Sequence, residues 1–132
     1  MARLRVVAVA SRLPAWARAA RDEYLARMPR GYEVEVLETK AAKLRIPQGA
    51  RLVALDERGR DFTTRQFAAL LAEPTVFVIG GPDGLDPAVR RAAAVQLRLS
   101  SLTLPHALAQ VVLLEQIYRA ATLATGHPYH RD

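Results

Sequence analysis

Residues 76–87 read VFVIGGPDGLDP, a segment that predicts a strand, a turn and a helix in succession. The apolar run Val76 to Ile79 predicts a strand that is buried on both faces. After the glycines, Asp86-Pro87 matches an N-cap residue followed by proline at the first helical position, which predicts a helix through about Val95. Glycine lets a backbone approach a ligand closely, and open α/β sheets bind ligands at the carboxyl ends of their strands. Two interpretations stay open for this turn, a ligand site and an ordinary connection.

Strand and helix patterns alternate along the rest of the chain. Further apolar runs predict strands at Leu4 to Val9, Val34 to Leu37, Leu52 to Leu55 and around Leu97 to Leu104. Helices are predicted from the first turn containing Pro14 to about Met28, from a Thr63 or Thr64 cap through Leu71, and from His106 to Thr125 with Gly126 as the C-cap. This alternation predicts an α/β fold, a mostly parallel sheet flanked by helices, in a single domain spanning 1–132. The connection at 39–50 contains Pro47 and Gly49 and is predicted to be an irregular basic loop.

The last predicted helix is apolar on most sides, which indicates that it is buried. One sheet in a chain of 132 residues cannot cover all of those sides, so we expect the helix to contribute to a homodimer interface. The alternative is a central core helix within one chain.

Composition limits the classes of partner and site. The chain has 19 Lys and Arg against 13 Asp and Glu, a net charge of +6, which suits an RNA partner but also fits a coding bias toward arginine. It contains no cysteine, and its three histidines show no metal-ligand spacing, so no metal site is predicted. The longest apolar runs are too short for a membrane span or a signal peptide, so we expect a cytoplasmic protein without a membrane partner.

Several common catalytic motifs are missing. The turn after the first strand, residues 8–13, contains no glycine, which argues against a dinucleotide site or a standard Rossmann methyltransferase. Phosphate-loop and GxSxG motifs are also missing. Two other segments are rich in polar groups, the loop LSSLTLPH at 99–106 and the tail HPYHRD at 127–132. Each has two open interpretations: the loop is a ligand site or a strand and helix cap, and the tail binds RNA or is a frayed end.

Taken together, IGGPDGL, LSSLTLPH, EQIYRA and the terminal HPYHR strongly resemble the ribosomal RNA large subunit methyltransferase H family of the SPOUT superfamily. LRVVAVASRLPAW and LVALDERG also resemble that family, so the resemblance covers nearly the whole chain. It implies a C-terminal deep trefoil knot, a homodimer and S-adenosylmethionine as methyl donor, without a metal. It also implies methylation of N3 of a pseudouridine in large-subunit (23S) ribosomal RNA on the assembled ribosome, with no DNA partner.

The resemblance also implies site residues. The cofactor-binding set is Leu55, Gly81, Ser100, Ser101, Leu102, Thr103, Leu104 and Pro105, and the catalytic set is Tyr129, His130 and Arg131. In the catalytic set, His130 is the candidate base, Arg131 stabilises an anion or binds a phosphate, and Tyr129 stacks on a base. His106 also matches the family pattern, and we interpret it as a neutral structural cap in preference to a catalyst.

The chain departs from the family pattern at two places. Where the family has a longer insertion containing a helix, this chain has only residues 39–50. Gln110 stands where the family has an arginine, and Ala107 replaces residues that are more typical of the family. If that arginine binds RNA, affinity or target choice changes. Alternatives that stay open are a SPOUT methyltransferase for another RNA target such as tRNA, a non-catalytic ribosome-binding factor, and a nucleotide-binding domain without an RNA partner.

Overall fold

The computed structural model describes residues 3–9, 12–40, 47–81 and 83–130. Its five strands are β1 (Leu4–Val9), β2 (Val34–Thr39), β3 (Arg51–Asp61), β4 (Thr75–Ile79) and β5 (Val95–Arg98). Its four helices are α1 (Ala15–Arg27), α2 (Thr64–Leu70), α3 (Pro87–Ala92) and α4 (His106–Thr125). Within this part of the chain, no helix is long and apolar enough to cross a membrane.

The five strands form one sheet in the order β2-β1-β4-β3-β5, and every neighbouring pair is parallel. The predicted parallel sheet flanked by helices is therefore confirmed. Because all strands run in the same direction, the segments that follow β3, β4 and β5 leave the sheet at one edge. This edge, the carboxyl edge, carries the candidate site.

Both faces of the sheet are covered, which is why the buried stretches of its central strands carry apolar residues on both sides. On one face, Val6 and Phe77 pack in the same buried cluster as Leu113 of α4, together with residues of α2 and partly buried side chains of α1. On the other face, Val7 and Val78 pack with Leu85 and with partly buried residues of α3. A strand that is buried on both faces has no polar side to alternate with its apolar one.

Helix α4 lies between two other helices of the same chain. This arrangement removes the argument that α4 needs a second copy of the chain to cover its apolar sides. Helix α4 packs against both α1 and α2 on the same face of the sheet, so neighbours within the chain cover most of its sides. The expectation that one chain cannot bury this helix is wrong, because it considered the sheet alone and omitted the flanking helices.

The predicted helix boundaries are mostly confirmed by their capping residues. Thr63 accepts a hydrogen bond from the Gln66 amide at 3.1 Å while the Gln66 side chain accepts one from the Thr63 amide at 2.9 Å, a reciprocal capping box. Asp86 Oδ1 accepts from the Ala88 amide at 2.8 Å, and Gly126 ends α4 with φ 76°. Pro14 is the N-cap of α1 and lies just before its first turn, not within it.

The largest differences from the predicted boundaries are at the ends of three elements, and β2 also extends two residues beyond its predicted end, to Thr39. Helix α3 ends at Ala92 and not near Val95, because the chain has to extend there to enter β5. Strand β5 ends at Arg98 and not at Leu104, since the following loop turns away from the sheet. Strand β3 continues to Asp61 instead of stopping at Leu55, with a register shift between Leu55 and Arg60. The predicted basic loop lies largely outside the described residues.

Candidate active site

A cavity of about 600 Å³ opens at the carboxyl edge of the sheet. Its walls come from the bulge in β3, the glycine turn after β4, the end of β5, the loop before α4 and the first turns of α4. The lining residues are Leu55, Asp56, Glu57, Arg58, Ile79, Gly80, Gly81, Asp83, Gly84, Leu85, Arg90, Leu97, Arg98, Leu99, Ser100, Leu102, Thr103, Leu104, Pro105, His106 and Ala109. A cavity of this size falls within the range of roughly 300–1,000 Å³ for small-molecule sites.

The glycine turn forms one wall with backbone and almost no side chain. The Gly84 amide donates to the Gly81 carbonyl at 2.9 Å, and Gly84 has a φ of +80°, a conformation that other residues rarely adopt. A Cβ atom on Gly80 would lie 2.5 Å from the backbone carbon of Gly84, so any side chain there forces the turn apart. The turn can therefore present its backbone directly to a ligand.

The loop between β5 and α4 forms the facing wall. Ser100 Oγ accepts a hydrogen bond from the Leu102 amide at 2.9 Å, which orders the start of the loop. Leu104 is half-buried, whereas the Leu102 side chain is 75% exposed although it lines the cavity. Among the eight predicted cofactor residues, the exposed Ser101 is outside the lining set, and the structure brings the other seven together around the cavity.

A charged pair beside the cavity was missed by sequence reasoning. The Asp56 side chain is only 5% exposed, and its Oδ2 lies 2.9 Å from Nε of Arg90 on α3. Its Oδ1 accepts a hydrogen bond from the Arg58 amide at 3.0 Å. Asp56 thus fixes the β3 bulge and links it to α3. The available signal was the position of these residues at the carboxyl end of a buried strand.

The C-terminal tail lies against the outer side of α4. The Tyr129 hydroxyl donates to Glu115 Oε2 at 2.7 Å, its ring centroid lies 4.6 Å from that of Tyr118, and the Arg119 guanidinium lies 4.9 Å from its ring. Burial, with the hydrogen bond to the Glu115 carboxylate, raises the pKa of Tyr129 to about 12. The expected pair on α4 is also present, with Arg119 donating to Glu115 at 2.8 Å.

This docking separates the tail from the cavity of its own chain. At 1.5 Å of rise per residue, Glu115 lies about 14 Å along α4 from His106, which lines the cavity. The structure therefore does not bring Tyr129 together with the predicted cofactor residues. His130 is half-buried beside Tyr129, and Arg131 lies outside the described residues.

One other prediction on α4 needs correction. Pro105 occupies the N-cap position without a side-chain cap hydrogen bond, and His106 is the first helical residue, so His106 is not a cap. Gln110 is fully buried in α4, and whether the arginine that it replaces contacts RNA stays a hypothesis. Within the described residues, no group of three or more histidine or acidic side chains could hold a metal ion.

Comparisons with known proteins agree with this arrangement. A family model described as "Predicted SPOUT methyltransferase" matches residues 2–130. The ribosomal RNA large subunit methyltransferase H of Polynucleobacter asymbioticus is 46% identical to this chain, with 98% of this chain and 99% of the relative covered. The protein of the same name from Paracidovorax citrulli is also 46% identical, with the same coverage.

The chain belongs to the ribosomal RNA large subunit methyltransferase H family.

The alignment of this methyltransferase H chain with the Paracidovorax relative extends over 154 positions, which exceeds its own 132 residues. The relative therefore contains additional residues, in keeping with the insertion that the family pattern has and this chain lacks.

Solved structures support the fold of this methyltransferase H chain. The SpoU methyltransferase AviRb from Streptomyces viridochromogenes, solved with AdoMet, is similar with a TM-score of 0.54 at 16% identity, covering 93% of this chain and 61% of that one. The A. aeolicus TrmH/SpoU tRNA modifying enzyme is similar with a TM-score of 0.56 at 15% identity, covering 96% of this chain and 79% of that one. The α/β SPOUT fold is confirmed, and the trefoil knot stays a prediction.

Proposed function

We propose that this chain transfers the methyl group of S-adenosylmethionine to N3 of a pseudouridine in 23S ribosomal RNA, acting as one methyltransferase domain over residues 1–132. Family membership supports the reaction class and the ribosomal RNA substrate. The structural observation that carries the proposal is the cavity at the carboxyl edge, bounded by the glycine-rich turn on one side and the Ser100–Pro105 loop on the other.

The cavity has the shape and chemistry that S-adenosylmethionine requires. Leu55, Leu102 and Leu104 supply apolar contact for the adenine and the methionine chain, and backbone groups near Gly81 and Leu104 hold the polar edges. The sulfonium of the donor supplies a methyl group that is already activated. The protein therefore has mainly to place the nucleophile in line, a contribution of about 7–11 kcal/mol in well-oriented systems.

The residues of the tail serve the substrate. N3 of pseudouridine carries a proton that has to leave, and His130 is the candidate base for it. Tyr129, whose pKa is raised to about 12, stays protonated at neutral pH, so it acts by stacking or by donating a hydrogen bond and not as a base. Arg131 stabilises the developing anion or binds a phosphate.

The position of the tail supports a homodimer as part of this proposal. Because Tyr129 is docked on Glu115, about 9 Å along α4 from Ala109, the nearest α4 residue of its own cavity lining, we assign a tail to the cavity of a second copy. The surface for this contact is at the adjoining starts of α1 and α4, where Ala17 and Ala107 pack together. There Trp16 is 56% exposed and Leu108 is 36% exposed. The substrate is the assembled ribosome, which places the reaction in the cytoplasm.

The test is transfer of labelled methyl from S-adenosylmethionine to ribosomes that lack the modification, with free ribosomal RNA and tRNA alongside. We expect label at one pseudouridine of the large-subunit RNA, in ribosomes only. Label on tRNA would instead assign the chain to another RNA target. No label on any RNA, from a folded protein that binds ribosomes, would support a non-catalytic ribosome-binding factor.

The catalytic roles are tested in the same assay. His130→Ala and Arg131→Ala are each expected to slow methyl transfer, by about 100-fold or more for the base. The affinity for S-adenosylmethionine, measured by calorimetry, should stay unchanged, since His130 is not among the cavity-lining residues and Arg131 is assigned in this proposal to the RNA. Wild-type rates in both variants would remove these residues from the mechanism.

A further inference from the structure

Three of the described arginines line the cavity, and their charges are not equally available for binding a ligand. Arg90 pairs with Asp56, with Nε 2.9 Å from Oδ2, and Arg98 donates to both carboxylate oxygens of Asp61 at 2.6 and 2.5 Å. The exposed Arg58 has no carboxylate within ion-pair distance among the residues that the structure describes. The guanidinium of Arg58 is therefore the uncompensated positive charge of the described cavity rim.

The backbone around Arg58 is held in place from both sides. On one side, Asp56 Oδ1 accepts a hydrogen bond from the Arg58 amide at 3.0 Å, and the ion pair with Arg90 holds that carboxylate. On the other side, a Cβ atom on Gly59 would lie 2.6 Å from the Gln96 carbonyl oxygen, so the chain at Gly59 lies directly against β5. The side chain of Arg58 thus extends from a fixed backbone at the mouth of the cavity.

We propose that Arg58 binds a backbone phosphate of the RNA next to the nucleotide that enters the cavity. This inference rests on the proposed function, which supplies an RNA substrate at this mouth. A guanidinium can donate two parallel hydrogen bonds to one phosphate, which fixes the position of the strand as well as attracting it.

The charges of the rim favour RNA over the methyl donor as the partner of Arg58. Glu57 and Asp83 are exposed carboxylates of the same lining, and the structure shows no cation paired with either in its described part. These carboxylates suit the sulfonium and ammonium groups of S-adenosylmethionine and repel phosphate. An RNA strand is therefore attracted at Arg58 and repelled at Glu57 and Asp83, which restricts its bound phosphate to the position beside Arg58.

The experiment compares Arg58→Gln and Arg58→Lys with Arg30→Gln. Arg30 is an exposed arginine just before β2, at the opposite edge of the sheet, so its replacement removes the same charge far from the cavity. The dissociation constant for unmodified ribosomes is measured at several salt concentrations, and the dissociation constant for S-adenosylmethionine is measured by calorimetry. Circular dichroism and thermal unfolding check that each variant is folded.

We expect Arg58→Gln to weaken ribosome binding roughly tenfold at low salt, as loss of a charged hydrogen-bonded contact does. The slope of log affinity against log salt should fall by about 0.7–0.9, the value for one lost phosphate contact. Arg58→Lys should keep the slope, because it keeps the charge, and lose part of the affinity with the bidentate geometry. Affinity for S-adenosylmethionine should change by much less than affinity for ribosomes, because Arg58 lines the cavity but its exposed guanidinium is assigned to the RNA.

The outcomes separate this inference from the proposed function. Wild-type methylation of ribosomes combined with an unchanged affinity and salt slope in Arg58→Gln overturns the inference alone. An Arg58→Gln variant that binds S-adenosylmethionine more weakly but ribosomes normally assigns Arg58 to the donor carboxylate and also overturns it. An equal loss in Arg30→Gln would show a general charge effect and not a site. A wild-type chain that neither binds nor methylates ribosomes overturns both proposals.

Discussion

The hydroxyl of Tyr129 donates a hydrogen bond of 2.7 Å to the carboxylate of Glu115, 14 residues earlier in the chain. The same carboxylate accepts from Arg119 at 2.8 Å, and the Arg119 guanidinium lies over the Tyr129 ring. The side chains of Glu115 and Arg119 thus hold Tyr129, and with it the C-terminal tail, against α4. This contact keeps Tyr129 out of the cavity lining of its own chain, so it bears on both the proposed chemistry and the proposed assembly of the protein.

The first prediction concerns the titration of Tyr129. Its pKa is raised from an ordinary 10.0 to about 12, so the folded protein favours the neutral phenol. A group with a raised folded pKa contributes stability that is fully present below its unfolded pKa and is lost as pH rises through the folded one. We therefore expect the tail to undock between about pH 10 and pH 12. Ultraviolet absorbance of phenolate should show one tyrosine that titrates at higher pH than an ordinary tyrosine in the wild-type protein. That tyrosine should be missing from the titration of Tyr129→Phe.

The matched change is Glu115→Gln, which keeps an oxygen acceptor for the hydroxyl but removes the negative charge. It should lower the pKa of Tyr129 toward its ordinary value, since the carboxylate contributes to the shift. If Tyr129→Phe removed a tyrosine that titrates near pH 10, the docked geometry of the tail would be wrong.

A second prediction concerns the glycine turn. Gly80→Ala should weaken S-adenosylmethionine binding by at least tenfold, because the new Cβ atom would lie 2.5 Å from Gly84 backbone and push the turn apart. Calorimetry on the purified variant measures the effect.

The control for the glycine turn is Gly31→Ala. Gly31 also requires a positive φ, +90°, but a Cβ atom there meets nothing within 4 Å. It should cost about 1–2 kcal/mol of stability from backbone strain and leave donor affinity unchanged. An equal loss of affinity in both variants would mean that general destabilisation, and not the cavity wall, is responsible.

A third prediction tests the core beneath the site. Phe77 is fully buried in β4, with its ring centroid 5.6 Å from that of Phe67 in α2. Phe77→Ala should lower the free energy of unfolding by about 3–5 kcal/mol, measured by denaturant titration. Leu37→Ala, at an exposed position of the edge strand β2, should change it by only about 0.5 kcal/mol. Similar losses at the two positions would contradict the burial described for β4.

The fourth prediction addresses the homodimer. Leu108→Glu places a charge on an exposed apolar position at the start of α4, beside Ala107, which packs with Ala17 of α1, and should convert the protein to a monomer in sedimentation experiments. Leu37→Glu makes the same change at an exposed leucine on β2 and should leave the assembly unaffected. A dimer that survives Leu108→Glu would place the interface elsewhere.

Local sequence signals located the elements well where a chemical signal marks the boundary. Strand β1 was predicted to the residue from its apolar run, and α4 from the residues that bound it, His106 after a proline and Gly126 at its end. Boundaries without such a signal were less accurate: β5 and α3 were predicted too long, since apolar residues such as Leu99 and Val95 fit a strand, a loop or a helix equally well.

By itself, the sequence determined an α/β domain, the positions of its helices and strands, and the segments around the cavity, because propensity, capping and apolar periodicity are properties of short stretches. Tertiary structure decided the strand order, and with it the meeting of the β3 bulge, the glycine turn and the loop before α4. It also decided the Asp56–Arg90 pair and the docking of Tyr129 on Glu115. These contacts join residues far apart in the chain, and their partners are selected by packing in three dimensions, which no local pattern encodes.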